Sequence, residues 1–232
     1  MKYITLFEQQ TAFDEAKSTL DRPNVSYVKE TDNVYSLAVG GVTYEYVDLG
    51  LSVKWAKCNV GAEKETDAGL YFAWGETTGY TESQVGTDKR FSWSDYKYGN
   101  SSSNLTKYNQ SDGKTVLESA DDTASQIMGG DWRMPTQSEC QELLDNTTNE
   151  WTQVNGVNGR KFTASNGNSI FIPAAGFCRD GSVSAGGYGN VWSSSRSTSY
   201  PRNAWYLSFN SGNCGVNGSD RYYGRSVRGV RK

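Results

Sequence analysis

The chain has 232 residues, a formal net charge of −3, 36% hydrophobic, 13% aromatic and 21% charged residues, and no histidine. That length holds one large domain or two small ones, the aromatic share is too high for a disordered chain, and no apolar run approaches the roughly 18 residues a membrane span requires. Without histidine, Ser-His-Asp and Cys-His catalysis, His-ligated zinc, proximal-His haem and imidazole acid/base steps are excluded.

In chain order, residues 2–7 alternate enough for a short strand. Phe13, Ala16 and Leu20 recur at helical spacing over 8–20, with acid early and Lys17 late, as the helix dipole favours. Asp21-Arg22-Pro23-Asn24 breaks that helix. Residues 25–29 and 34–38 read as strands separated by the turn signal Thr31-Asp32-Asn33, and Gly40-Gly41 reads as a hinge. A small β-α-β-β module over 1–40 follows, with 41–232 as the second unit. Residues 44–49 and 51–55 read as strands around Gly50, and 70–74 as a short aromatic strand. The polar stretch 77–113 carries Phe91, Trp93, Tyr96, Tyr98 and Tyr108 and predicts a long excursion pinned by aromatic side chains. Residues 121–128 predict a short helix ending at Gly129-Gly130, with Asp121-Asp122 as its acidic first turn. The strongest local signal is Pro135-Thr136-Gln137-Ser138-Glu139, a Thr-x-x-Glu capping box, with Leu143 and Leu144 one turn on and Asn146 closing the helix. Residues 169–173 predict a buried strand. Residues 204–209 and 226–230 predict strands, with Trp205, Leu207 and Phe209 inward and Tyr206 and Ser208 outward. Few, early helices and many late strands predict an α+β class.

Charge is unevenly placed. Residues 1–161 hold 11 Lys and 4 Arg against 12 Asp and 12 Glu, a net of −9; residues 162–232 hold 7 Arg and 1 Lys against 2 Asp, a net of +6. From Thr163 to Arg231 there is no Lys, Glu, Gln or Met. The positive end has no lysine-rich cluster, so nucleic acid is not the expected partner. Met1-Lys2-Tyr3-Ile4-Thr5-Leu6-Phe7-Glu8 lacks the apolar core of a secretory signal, so cytoplasmic synthesis is expected. Cys58, Cys140, Cys178 and Cys214 form no CxxC motif and read as free, mostly buried thiols. Gly186-Gly187-Tyr188-Gly189 lacks the strand-to-helix setting of a phosphate loop and reads as a turn.

Five spaced segments carry a resemblance. They are Val47-Asp48-Leu49-Gly50-Leu51-Ser52-Val53-Lys54-Trp55-Ala56, Tyr71-Phe72-Ala73-Trp74-Gly75-Glu76, Gly130-Asp131-Trp132-Arg133-Met134-Pro135-Thr136, Trp192-Ser193-Ser194-Ser195 and Ser226-Val227-Arg228-Gly229-Val230-Arg231. In this order, from about residue 43 to the end, they resemble the Fibrobacter succinogenes major paralogous domain of gut Bacteroidetes and their phages. Cys140 stands where an aromatic is expected, and Gly229 where Pro is common. The resemblance implies a C-type lectin fold of the branch shared with formylglycine-generating enzymes. The full expectation is therefore an α+β C-type lectin fold over 41–232 with the small N-terminal module before it. Calcium-dependent sugar binding is not expected, since calcium takes six to eight oxygen ligands and only Asp180 and Asp220 follow Glu150. A formylglycine-type oxidase would need two close reactive cysteines, and Cys178 and Cys214 are far apart in sequence. No catalytic residue, metal site or cofactor is expected.

The same implied fold carries variable proteins of diversity-generating retroelements, which rewrite adenines near the 3′ end of a gene. Randomising both adenines of an Asn codon cannot produce Lys, Glu, Gln, Met or Trp. Within a variable region of about 192–232, the residues interrupting the family frame all belong to the reachable set: Arg196, Thr198, Tyr200, Arg202, Tyr206, Ser208, Gly215, Gly218, Ser219, Asp220, Tyr222, Tyr223 and Arg225. Tyr and Arg provide contact area and directional hydrogen bonds while Ser and Gly adapt around them, as in antibody loops. Arg228 and Arg231, within the frame, read as structural. The expected function is that of a non-enzymatic receptor-binding protein at a phage or prophage tail tip, contacting a bacterial surface protein or glycan. Residues 1–40 would attach it to the tail or to sister subunits, and neither nucleic acid nor membrane insertion is involved. The alternatives are a non-diversified bacterial surface adhesin of the same family and, less favoured, the oxidase.

Overall fold

The computed structural model describes residues 25–29, 34–39 and 42–232. In chain order the strands are β1 (Val25–Lys29), β2 (Val34–Val39), β3 (Val42–Val47), β4 (Lys54–Asn59), β5 (Gly99–Ser101) and β6 (Asn104–Leu105). Two helices come next, α1 (Thr123–Ile127) and α2 (Gln137–Asp145). After them come β7 (Thr147–Val154), β8 (Val157–Ala164), β9 (Ser169–Pro173), β10 (Phe177–Arg179), β11 (Ser182–Ser184), β12 (Gly189–Arg196), β13 (Asn203–Phe209), β14 (Cys214–Asp220) and β15 (Arg228–Arg231).

These strands form a five-stranded sheet in the order β1-β2-β3-β4-β15, two three-stranded sheets, β7-β8-β9 and β12-β13-β14, and two small hairpins. Among the described residues the structure is mostly β-sheet, 42% strand and 12% helix, which corrects the expectation of an α+β C-type lectin fold. Both helices expected within the described residues form, and the difference lies in β7, β8, β10, β11, β12 and β14, which no residue pattern marks as strands. The predicted strand at 2–7, the helix at 8–20, the turn at 31–33 and the hinge at Gly40-Gly41 lie outside the described residues. β2 and β3 pair in register from Val34↔Val47 to Val39↔Val42, so β1 and β2 continue the sheet of β3, β4 and β15 across the expected boundary at residue 40.

The capping box of α2 forms as predicted: Thr136 Oγ1 accepts from Glu139 N at 3.2 Å and Glu139 Oε2 accepts from Thr136 N at 2.8 Å. Asn146 closes the helix by donating its N–H to Glu142 O. Residues 70–74 form isolated bridges, Tyr71↔Tyr80 and Phe72↔Arg225, and not a continuous strand. The hairpin β7–β8 turns at Asn155-Gly156, both with positive φ (50° and 79°), where an Asn-Gly pair supports the tight turn a right-twisted hairpin favours.

Two cores hold the sheets together. One is mainly aliphatic and collects Val47, Leu49, Cys140, Leu143, Ile170, Ile172, Val191, Leu207 and Phe209 beneath the β12–β14 sheet. The other is aromatic: Tyr71, Phe72, Trp74, Phe91, Tyr96, Tyr98, Tyr108, Trp132 and Trp192. Such rings bury large areas each, so a 36% hydrophobic chain can still build a core. Their polar atoms tie residues 71–74 to the C-terminal part of the scaffold. Trp192 Nε1 donates to Phe72 O at 2.9 Å, Trp74 Nε1 to Ser193 O at 2.8 Å and Tyr71 Oη to Ala175 O at 2.7 Å.

Candidate ligand-binding face

The β12–β14 sheet has one covered and one freer side. Val191, Leu207 and Phe209 point with Cys140 and Leu143 of α2 into the aliphatic core. The opposite side carries Trp192, Tyr206 and Asn217, aligned across the three strands. Leu207 and Phe209 are buried and Tyr206 and Ser208 half-buried, as alternation predicts, but Trp205 is also only half-buried and joins neither core. It faces Gly218 near the end of the sheet, beside an irregularity in β12 between Trp192 and Arg196.

Arg225 lies under this side and is 2% exposed. Its guanidinium sits 3.7 Å from the Tyr206 ring centroid, 4.8 Å from Trp192, 5.5 Å from Tyr223 and 5.6 Å from Phe177. Nη1 donates to Asn190 Oδ1 at 2.6 Å. Burial without an adjacent carboxylate lowers its pKa to about 10, still charged at neutral pH. Above it the Tyr223 ring stacks on Phe177 (5.9 Å, 12°) and meets Tyr222 at 4.7 Å, and Tyr222 meets Trp93 at 4.9 Å. Exposed Arg179 donates to Tyr223 Oη at 3.0 Å. The result is a continuous half-exposed aromatic cluster with a buried cation beneath and an exposed one at its rim.

The thirteen sequence-derived positions fall into three groups. Thr198, Tyr200, Arg202 and Gly218 are exposed, Tyr200 to 64%. Tyr206, Ser208, Gly215, Ser219, Asp220 and Tyr223 are half-buried. Arg196, Tyr222 and Arg225 are buried. Arg196 donates through Nε to Lys114 O (2.9 Å) and through Nη1 to Ser197 O (2.8 Å), so it ties the 107–115 loop to β12. Arg202 pairs with Asp220 at 3.6 Å, and burial raises the Asp220 carboxyl despite that cation.

The positive end of the chain is therefore largely internal. Of its seven arginines, Arg196, Arg221, Arg225, Arg228 and Arg231 are buried, and Arg179 and Arg202 are exposed. Arg221 donates to Tyr108 O (3.0 Å) and lies over Trp74 and Tyr96. Arg228 donates to Asn59 Oδ1, Ala56 O, Lys57 O and Phe171 O, and burial lowers it to about 10. A guanidinium has five donors in a fixed plane and tolerates stacking, which a lysine ammonium does not match. Internal carbonyl-binding sites of this kind account for an arginine-rich segment without lysine.

Residues 46–231 match the Lcl C-terminal domain family. The chain belongs to that family. The Lcl C-terminal domain family is a Fibrobacter-like paralogous family, and membership points to a ligand-binding, adhesin-type protein. No curated protein and no solved structure matches the chain.

In this Lcl C-terminal domain, Trp93, Phe177 and Arg179 join the face although they lie outside the expected variable region. Their signal in the sequence is weak: Trp93 belongs to the aromatic excursion, and nothing local marks Phe177 or Arg179. The four cysteines are free; burial raises all four thiols, Cys178 to about 12, which disfavours thiolate chemistry. Among the described residues no three His, Cys, Asp or Glu side chains group to hold a metal, and no helix is long and apolar enough to cross a membrane. Asp121 is not a helix-dipole residue. It accepts from Tyr98 Oη, from Tyr108 Oη at 2.7 Å and from Lys107 Nζ at 2.5 Å, while Asp122 caps α1.

Proposed function

We propose that this protein binds a molecule on a bacterial surface through the freer side of the β12–β14 sheet and the adjoining Tyr222–Tyr223 cluster. It is read as a binding protein, not an enzyme, and as a tail-tip adhesin of a phage or prophage whose exposed C-terminal positions are rewritten by a retroelement. One observation carries the binding reading: Tyr206, Tyr223 and Phe177 remain half-exposed while packed around buried Arg225. Ordered aromatic rings that keep solvent access lose little entropy on contact and supply large area, the composition of binding hot spots.

The test is adsorption. Purified protein labels particular Bacteroidetes strains, and Tyr223→Ala and Arg179→Ala abolish labelling while far-UV circular dichroism stays unchanged. Labelling that survives both substitutions overturns the assignment of the face.

A non-diversified surface adhesin is favoured by one observation: Arg196, Tyr222 and Arg225 suit codon rewriting but are buried. The gene neighbourhood separates the two readings. The diversified protein requires a downstream reverse transcriptase and a near-copy of the gene's 3′ end differing at adenines, with differences concentrated at Thr198, Tyr200, Arg202, Ser208, Gly215, Gly218 and Ser219. Absence of that copy leaves the non-diversified adhesin.

A further inference from the structure

Among the described residues β14 ends its sheet, with β13 on one side and no strand on the other. Its register runs unbroken from Asn203↔Asp220 to Phe209↔Cys214. Beyond both ends the ladder continues in Arg221 N→Arg202 O (3.0 Å) and Asn210 N→Asn213 O (2.9 Å). Bonded positions alternate in an antiparallel ladder, so Gly215, Asn217 and Ser219 turn their backbone groups toward β13. Val216 and Gly218 turn theirs outward, where no described residue bonds to them. Open edges are usually blunted by lysine, proline or a bulge, and β14 has none of these.

We propose that β14 is a homodimer interface, with two copies of the chain pairing edge to edge, antiparallel, about a two-fold axis at Asn217. The edge is self-complementary in that register. Val216 falls opposite the partner's Gly218, a side chain against a hydrogen, and the Asn217 amide meets its own copy as both donor and acceptor. Asp220 falls opposite the partner's Cys214, beside which lies the guanidinium of the partner's Arg160. In each chain Arg160 interacts with the Cys214 thiol and donates to Asn213 O at 2.8 Å. Asp220 pairs with Arg202 in its own chain at 3.6 Å and Arg160 with backbone carbonyls in its own, so the two-fold sets opposite charges beside each other twice without leaving either unpaired in the monomer. An axis normal to the sheet leaves both copies of Tyr206 on the same side of a six-stranded sheet. Two ligand-binding faces then lie side by side, and their avidity exceeds the affinity of either. Seven residues of edge form a small interface, so the dimer is weak and concentration-dependent.

Sedimentation of the full chain over a concentration series reads this directly, with reversible dimerisation expected. Gly218→Pro removes one outward N–H per copy and no bond within the monomer. Gly218 is not in the left-handed region, and proline is tolerated on strand edges. This variant is expected to keep its melting temperature and to raise the dimer dissociation constant at least about tenfold. Asn217→Cys supplies an independent readout. Non-bonded antiparallel pairs hold their Cα atoms about 4.5 Å apart, which a disulfide spans. The variant is therefore expected to form a dimer linked through its new thiol, located by peptide mapping, which wild type does not form and Gly218→Pro prevents. A wild-type chain monomeric throughout the series overturns the proposal. So does a dimer unaffected by Gly218→Pro, as one built on residues 1–40 would be, or a folded Asn217→Cys chain that does not cross-link.

Discussion

Replacing Arg225 separates a guanidinium that contacts ligand from one that holds the face together. Arg225→Ala removes a charged hydrogen bond to Asn190 worth about 1.5–3 kcal/mol. It also removes stacking against four rings, worth roughly 0.5–2 kcal/mol, and it leaves a cavity. Against these stands relief from burying a charge with no carboxylate beside it, which offsets part of the loss. The net expectation is destabilisation by about 2–4 kcal/mol, a fall in Tm of roughly 4–16 °C for a domain of this size. Thermal unfolding followed in the near ultraviolet reads both stability and ring order. Arg225→Met keeps the stem but leaves Asn190 Oδ1 buried without its donor, so it recovers only part of the loss. The control is Tyr200→Ala, exposed and expected within about 0.5 kcal/mol of wild type. If Arg225→Ala melts like wild type with an unchanged near-ultraviolet spectrum, the guanidinium does not order the rings and the structural role assigned to it is wrong.

Other outcomes rest on the same geometry. Burial would raise the Asp121 carboxyl, but hydrogen bonds from Lys107, Tyr98 and Tyr108 hold it at about 2 in the fold, below its unfolded value of 3.8. Its stabilising contribution is complete above about pH 4 and is lost as pH falls toward 2. Asp121→Asn should melt lower at pH 7 and show a flatter stability profile between pH 4 and 2; an identical acid limb would sink this assignment. Thr136→Ala removes the α2 cap and should cost about 1 kcal/mol, or roughly 2–4 °C in Tm, with no effect on cell labelling. Thr198→Ala and Gly218→Ala should leave the melt within about 0.5 kcal/mol, since both positions are exposed and the added Gly218 methyl meets only ordinary contacts.

The α2 capping box, the strand over 169–173 and the alternation of Leu207 and Phe209 were legible because each is a local pattern among residues a few positions apart. The Asn155-Gly156 turn was equally local, a hairpin signal that neither composition nor the family frame brings forward. The fold class was not legible. The two helices marked within the described residues form, but strands such as β12 and β14 carry no marked apolar alternation, and only their pairing on either side of β13 makes them strands. Of the candidate face, the sequence located Tyr206 and Tyr223 but not Phe177 or Arg179, which join them only through stacking and a hydrogen bond across more than forty residues.

By itself, the sequence determined the family, through ordered motifs over most of the chain, and the places where local chemistry caps helices or alternates along strands. The division of charge into −9 and +6 was also present in it, but the meaning of that division was not. Only the tertiary structure decided that five of the seven C-terminal arginines are internal and two face solvent. Arg221 finds its carbonyl 113 residues away at Tyr108, and Arg228 finds one 172 residues away at Ala56. Backbone carbonyls are identical for every residue type, so no pattern of side chains records which of them a buried guanidinium will meet.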